Sequence, residues 1–455
     1  TVRRSILLDS KADILVHGMA ERQVVAIARR LSAGEDARAI RGLRGTAWWT
    51  SKEADLPADA VRLPAFAEVS GTDGGSLRAF AQSFATQYRA SDPWNAKALA
   101  EEAEGRFVVV EPPEFPLARA ELDRVWALPF ERRAHPLYER SGGVPALSEV
   151  KFSVAATRGC FGACAFCAIA FHQGRVPSSR SRGSIVAEVE GFRDDPDWKG
   201  IVHDVGGPTA NFLGPACAKQ SRSGPCPERR CLSPEPCPAL EVDHGEWLGN
   251  LRALRALDGV RKVFVRSGIR FDHLMLDRDP LVLRELAEHH VSGQLKVAPE
   301  HVSDRVLALM GKPPHRVFEA FAAEWRRAND ALGKKQFLVP YFIASHPGAT
   351  LDDAIELALW LADYGFVPDQ VQDFYPTPGT LATAMYRTGL DPLTLESVHV
   401  ARGERERAMQ RALLQFDRPE NRATVLEALR VAGRADLAGR LLGKGAGERS
   451  GKRRP

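Results

Sequence analysis

Three cysteines stand in the run Thr157-Arg-Gly-Cys160-Phe-Gly-Ala-Cys164-Ala-Phe-Cys167, a CxxxCxxC spacing. Three thiolates on so short a loop can each ligate one iron of a cubane cluster, and Gly159 and Gly162 let the backbone turn tightly around it. One iron is then left without a protein ligand. Catalytic metal sites keep such an open position and structural sites close it, so the spacing favours a cluster that binds a substrate or cofactor. Ferredoxin-type carriers use a different run, with a fourth cysteine close by. The competing chemistry is a zinc ion held by the same thiolates and by His172, which follows Cys167 after a four-residue spacer. A strand-like run directly before the loop, and a glycine pair after the next such run, favour the cluster.

A second group, Cys217, Cys226, Cys231 and Cys237, has spacers of eight, four and five residues. Pro225, Pro227, Pro234, Pro236 and Pro238 deny this insert, residues 215–240, regular helix or sheet. A loop with little core of its own needs a metal to order it. An auxiliary iron–sulfur cluster and a structural zinc on all four thiolates fit equally, with Cys217 the weakest member. All 7 cysteines fall between positions 160 and 237. The odd count, the length and the lack of a signal-peptide pattern at the start argue against a disulfide framework, and for metal ligation in a reducing, cytoplasmic setting.

These groups must be positioned by regular elements. Strand-like apolar runs occur at 152–156, 201–205, 260–265, 295–298, 337–343 and 370–375, with helical patterns between them. The clearest helix is 351–362, with Thr350 and Asp353 placed to cap it. Strands alternating with helices imply parallel pairing through right-handed crossovers, either an open doubly wound sheet or a full or partial (β/α) barrel. In both, functional groups gather at the C-terminal ends of the strands. Ser267, Arg270, Glu300, His301 and His346 stand at such ends. Each has an ordinary reading as well: a strand-end hydrogen bond, an ion pair or a turn. The other histidines, with the His289-His290 pair, read as helix-surface residues.

Residues 1–145 read as a separate α/β region, with a strand at 12–17, a helix at 20–31 and a strand at 106–110; the text between, notably Ser70 to Ser76, reads as exposed loop. The start, Thr1-Val-Arg-Arg, lacks Met and reads as the beginning of a fragment. Residues 391–455 read as charged helices at 402–414 and 423–442 followed by a basic disordered tail. The 62 Lys and Arg against 58 Asp and Glu give +4, but residues 434–455 hold seven basic and two acidic residues, so the body is neutral. That weighs against a nucleic-acid partner, which needs a basic face, and leaves the question open for the tail. No window is apolar enough to span a membrane.

With these segments in hand, the chain resembles radical S-adenosylmethionine (SAM) enzymes. In that superfamily the CxxxCxΦC loop, with Φ aromatic and here Phe166, holds a 4Fe-4S cluster whose open iron is chelated by SAM. The resemblance implies a partial (β/α)6 TIM-like barrel over residues 150–390, a reducing electron donor, and cleavage of SAM to methionine and a 5′-deoxyadenosyl radical. It also implies cofactor-binding roles for Phe166, Gly206, Gly207, Ser267 and Glu300. The family's Gly-Gly-Glu turn appears as HDVGGPT, with Pro208 where the family has Glu. The segments 295–313, 341–350 and 374–384 are similar to the fourth, fifth and sixth strand regions of methylthiotransferase-like members. More narrowly, RRSILLDSKADILVHG, RGCFGACAFCAI, GGPTAN, VAPEH and PYFIASHPG resemble the YgiQ-type radical SAM proteins, whose substrate is unassigned. Those proteins have a further N-terminal stretch reminiscent of cobalamin-binding domains, so cobalamin-assisted methylation joins modification of RNA or protein among the expected reactions. The rival from another class is a zinc-ordered binding module.

Overall fold

The computed structural model describes residues 2–443; the basic tail from 444 onward lies outside the described residues. Strands β1 (Ile14–Val16), β2 (Thr46–Thr50), β3 (Val61–Arg62), β4 (Leu99–Ala103) and β5 (Arg106–Val110) form one sheet in the order β1-β2-β5-β4-β3. All its pairs are antiparallel except β3 with β4. The register sets Leu15, Ala47, Val110 and Leu99 in one row, with Glu101 opposite Val108 further along. Residues in one row, and every second residue along a strand, share a face.

The expected strand at 106–110 and helix at 20–31 are present, the helix as Glu21–Ser32. The expected loop text is more regular than its composition suggests. Asp73 accepts a hydrogen bond from Ser76 N–H and caps a sixteen-residue helix, Gly74–Arg89. Two glycines sit in its first turn, where capping outweighs their low helix propensity.

From residue 150 the six expected strand positions each hold strand, and all their ladders are parallel. β6 (Ser153–Ala155) pairs with β10 (Asp204–Gly206), and β9 (Ile201–Val202) with β11 (Lys262–Val263). β12 (Gln294–Glu300) pairs with β13 (Phe337–Ala344), and β13 with β14 (Gln372–Asp373). Between the third and fourth positions Val265 N–H turns instead to His290 O, at 3.0 Å. The domain is thus mixed α/β, with two runs of consecutive parallel strands. Helices such as Arg182–Glu190, Gly245–Arg255 and His315–Leu332 cover them around a core of Val154, Val202, Val205, Leu251, Val263, Leu295 and Phe321.

The helix Leu351–Tyr364 opens on the expected box, Thr350 N–H donating to Asp353 Oδ2 at 2.8 Å and Asp353 N–H to Thr350 Oγ1. Against it packs Glu404–Leu414 of the C-terminal extension. The single helix expected at 423–442 is two, Arg422–Val431 and Ala438–Leu442, because Gly433 takes φ +70° and turns the chain. His244, His273 and His290 are buried rather than on helix surfaces; His290 hydrogen-bonds Val263 O at 2.9 Å. Among the described residues no helix is long and apolar enough to cross a membrane.

Candidate functional site

The CxxxCxxC loop leaves the end of β6 and is clipped at its base by an antiparallel ladder of β7 (Thr157–Arg158) with β8 (Ser178–Ser179). Inside this clip Cys160 N–H donates to Gly174 O (3.1 Å) and Gly159 N–H to Gln173 Oε1 (3.1 Å). Gly159 has φ +80°, and a Cβ there would lie 2.9 Å from Val176 O, so only glycine fits. Between the second and third cysteines, Ala165 is held from two sides. Its N–H donates to Met310 O (2.8 Å), beyond β12, and its carbonyl accepts from Ala382 N–H (2.9 Å), beyond β14. The loop is therefore tied to the end of the first strand position and to the helices Asp304–Met310 and Leu381–Thr388 that follow the fourth and sixth.

The thiols face a charged floor. Arg270 Nη1 lies 3.6 Å from Cys164 Sγ, and its fork is paired with Asp272, both side chains buried. Burial works against the guanidinium charge, yet Asp272 and the neighbouring thiols raise its pKa. Glu300, at the end of β12, has φ +72°, a conformation a non-glycine residue adopts only under local constraint. Its carboxyl is buried 3.7 Å from Lys312 Nζ, which donates to Ala298 O at 2.7 Å. Burial pushes the Glu300 pKa up and Lys312 holds it back.

Burial, then Cys164, raises the Cys160 pKa; the same two causes push Cys167 up to about 11. Such thiols ligate only when a metal supplies the positive charge that removes their protons. Three sulfurs on one loop beside a buried guanidinium suit an anionic iron–sulfur cluster. Cys160 Sγ also meets Thr209 Oγ1 at 3.5 Å and accepts from Gly162 N–H at 3.4 Å. A side chain at 162 would collide with Arg270, so this glycine makes room for the floor.

The structure brings most of the expected cofactor residues to this place. Gly206 and Gly207 end β10 against the start of the loop: a Cβ at 207 would come within 2.8 Å of Thr157 O, and one at 206 would strike Ser267. Ser267 donates its hydroxyl to Asp204 Oδ2, and Asp204 Oδ1 accepts from Arg266 and Ser267 N–H, so Ser267 carries a strand-end bond here. Phe166 packs with Ile343, Met310 and Phe374, and stands edge-on to His346. His346 is buried; its Nδ1 bonds Pro347 O (2.7 Å) and its Nε2 has no partner among the described residues. His301 turns away, accepting from Ser303 N–H. His172 closes a short helix, Ile169–His172, and is exposed. The sequence marked neither Asp272 nor Lys312, because their roles depend on partners on other elements.

The four later cysteines are half-buried free thiols on the insert. Cys237 N–H donates to Cys231 O (2.9 Å), and Lys219 Nζ to Cys226 Sγ (3.2 Å). Cys231 is pushed up to about 11 by burial, Arg175 partly opposing and Cys217, Cys237 and Cys226 adding to the rise. The insert is more ordered than its prolines suggest: Ala218–Ser223 is helical, lying between Pro215 and Pro225, and Ala216 and Leu232 share a small core with Phe212 and Phe161. Among the described residues no three His, Cys, Asp or Glu side chains converge on the position of a single metal ion.

Residues 1–153 match the Radical SAM N-terminal family, 154–361 the Radical SAM superfamily, and 369–444 a domain of unknown function, DUF3362. The chain is 52% identical over 438 residues to a UPF0313 protein of Clostridium perfringens, covering 96% of this chain and 66% of that protein. It is 48% identical over 439 residues to a UPF0313 protein of Clostridium botulinum, covering 96% and 67%. The chain thus spans about two thirds of the length of these curated relatives. A solved structure of the radical SAM methyltransferase TsrM from Kitasatospora setae, with tryptophan substrate and a SAM analogue bound, aligns at 13% identity and TM-score 0.40 over 77% of this chain and 49% of that one.

Proposed function

The chain belongs to the UPF0313 family of radical SAM proteins, and from that premise we propose that Cys160, Cys164 and Cys167 hold a 4Fe-4S cluster at which SAM is bound and cleaved. The observation that carries this is the loop's anchorage: Ala165 is tied to Met310 and Ala382, and the loop so held sets Cys164 against Arg270 and Cys160 against Thr209, just after the Gly206-Gly207 turn. Gly206, Gly207, Glu300 and the backbone around Phe166 would hold SAM. Ser267 would accept a hydrogen bond from it, its own proton being committed to Asp204. Arg270 offsets negative charge at the sulfurs, and the Phe166, Ile343 and Met310 cluster keeps water from that side. When bound, the cluster supplies the electron that splits SAM to methionine and a 5′-deoxyadenosyl radical.

The six parallel positions are read as a partial (β/α)6 barrel spanning 150–390, flanked by an N-terminal α/β domain and a C-terminal helical extension. The second cysteine group is read as a further metal site, and a separate reductant as the source of the electron. Seven free, half-buried thiols fit a reducing, cytoplasmic setting.

Anaerobic reconstitution, reduction and addition of SAM should give 5′-deoxyadenosine, and Cys164→Ala should give none. A protein that takes up zinc in place of iron, or whose reduced cluster leaves SAM intact, would overturn the proposal. In a Cys160/Cys164/Cys167 triple alanine variant, residual iron assigns a second cluster to the later cysteines and residual zinc a structural ion.

A further inference from the structure

A cleft of about 750 Å³ lies between the N-terminal sheet and the segment that leaves the cysteine loop. Its floor is the sheet row Leu15, Ala47, Val110 and Leu99, with Val108 and Glu101 beyond. Phe80 and Phe84 of the helix Gly74–Arg89 form one wall, and Phe171 and Arg175 the other. Its size is that of a small-molecule site, and its apolar floor is ringed by polar and charged side chains.

Some polar groups that line this cleft are satisfied by the protein, Arg22 by Glu114 and Glu121 and Arg158 by Glu21, and others are not. Arg175 is 8% exposed; its Nη2 donates to Arg229 O at 3.3 Å, and its buried Nε has no partner among the described residues. A buried guanidinium with one backbone acceptor is a costly arrangement unless an anion completes it. Gln23 is 0% exposed; its amide nitrogen reaches Arg44 O and Glu114 Oε2, leaving Oε1 without a donor. Glu101 stands on the sheet floor, and the groups that act on it include no cation. Beside Arg22 and Arg158, which are already paired, the cleft therefore offers an incompletely bonded cation on the wall beside the cysteine loop, and two hydrogen-bond acceptors on the N-terminal side, across an apolar floor.

We propose that this cleft binds a small, flat organic anion, its ring body on the sheet row, its acidic group on Arg175 and a hydrogen-bond donor directed to Glu101 or Gln23 Oε1. The ligand would touch Phe171 and Arg175, which follow the third cysteine, so its binding is sensed next to the cluster loop.

Calorimetric titration of the reconstituted chain with 6-amino-2-naphthoate, and with its neutral carboxamide, tests this. The carboxylate should bind saturably at one site and about tenfold more tightly than the amide, the effect of one charge-assisted hydrogen bond. Arg175→Gln should erase that preference while leaving amide binding in place. Gln87→Trp, which fills the cleft from the helix, should weaken both probes. Equal affinity for the two probes on the wild-type chain, or a preference that survives Arg175→Gln, would overturn the proposal. So would the absence of saturable binding.

Discussion

The two cysteine groups of this chain are built in opposite ways. Around Cys160, Cys164 and Cys167 the protein itself fixes the backbone, through the β7–β8 clip and the bonds from Ala165 to Met310 and Ala382, and sets buried charges beneath the sulfurs. Around Cys217, Cys226, Cys231 and Cys237 there is one six-residue helix and a shared patch of Ala216 and Leu232. A site that must present an open iron to a cofactor gains from a frame that exists before the metal arrives. A structural site can leave its ordering to the metal. The two are joined physically: Phe161 of the first loop stacks on Phe212 at 3.7 Å, and Ser233 of the insert donates to Lys312 O at 3.0 Å.

The largest expected effect is also the most selective. Cys164→Ala should abolish SAM cleavage yet leave thermal unfolding nearly unchanged, since the loop's backbone bonds do not use that sulfur; a large drop in melting temperature would break the contrast. Next, chelation of a metal-loaded protein should remove hydrogen-exchange protection across 217–240 and spare 159–177, because structural metals contribute on the order of 10 kcal/mol to the order of their own loops. Equal loosening of both segments would show that the first loop also depends on its metal. Third, Arg270→Gln leaves Asp272 buried without its partner and should cost about 3–5 kcal/mol in denaturant unfolding. A cost under about 1 kcal/mol would mean that water reaches this floor, as it does at exposed ion pairs. The smallest effect is Ser233→Ala, about 1 kcal/mol for one hydrogen bond, with a slower turnover if the insert helps to position Lys312.

How far the sequence revealed this architecture depended on whether the cause was local. The parallel strands were legible because they are nearly continuous apolar runs, as in Phe337–Ala344, even though Tyr341 of that strand is exposed. The first cysteine loop was legible because ligand spacing is written in the chain itself. The N-terminal strands were largely hidden, since β4 reads LAEEA and carries Glu101 and Glu102, which no apolar pattern marks. The helix beginning at Gly74 was hidden behind residues typical of turns. Ser267 could be located but not its partner, Asp204, 63 residues earlier. The charged floor was invisible for the same reason, because Asp272 and Lys312 gain meaning only when other strands bring Arg270 and Glu300 beside the thiols.

The account turns on an iron that the protein leaves open for SAM. Electron paramagnetic resonance of the reduced, reconstituted cluster, recorded before and after addition of SAM, addresses that iron directly. The signal should shift on addition of SAM, and any signal that remains in the Cys160/Cys164/Cys167 triple alanine variant should not. A wild-type spectrum that is the same with and without SAM would contradict the account.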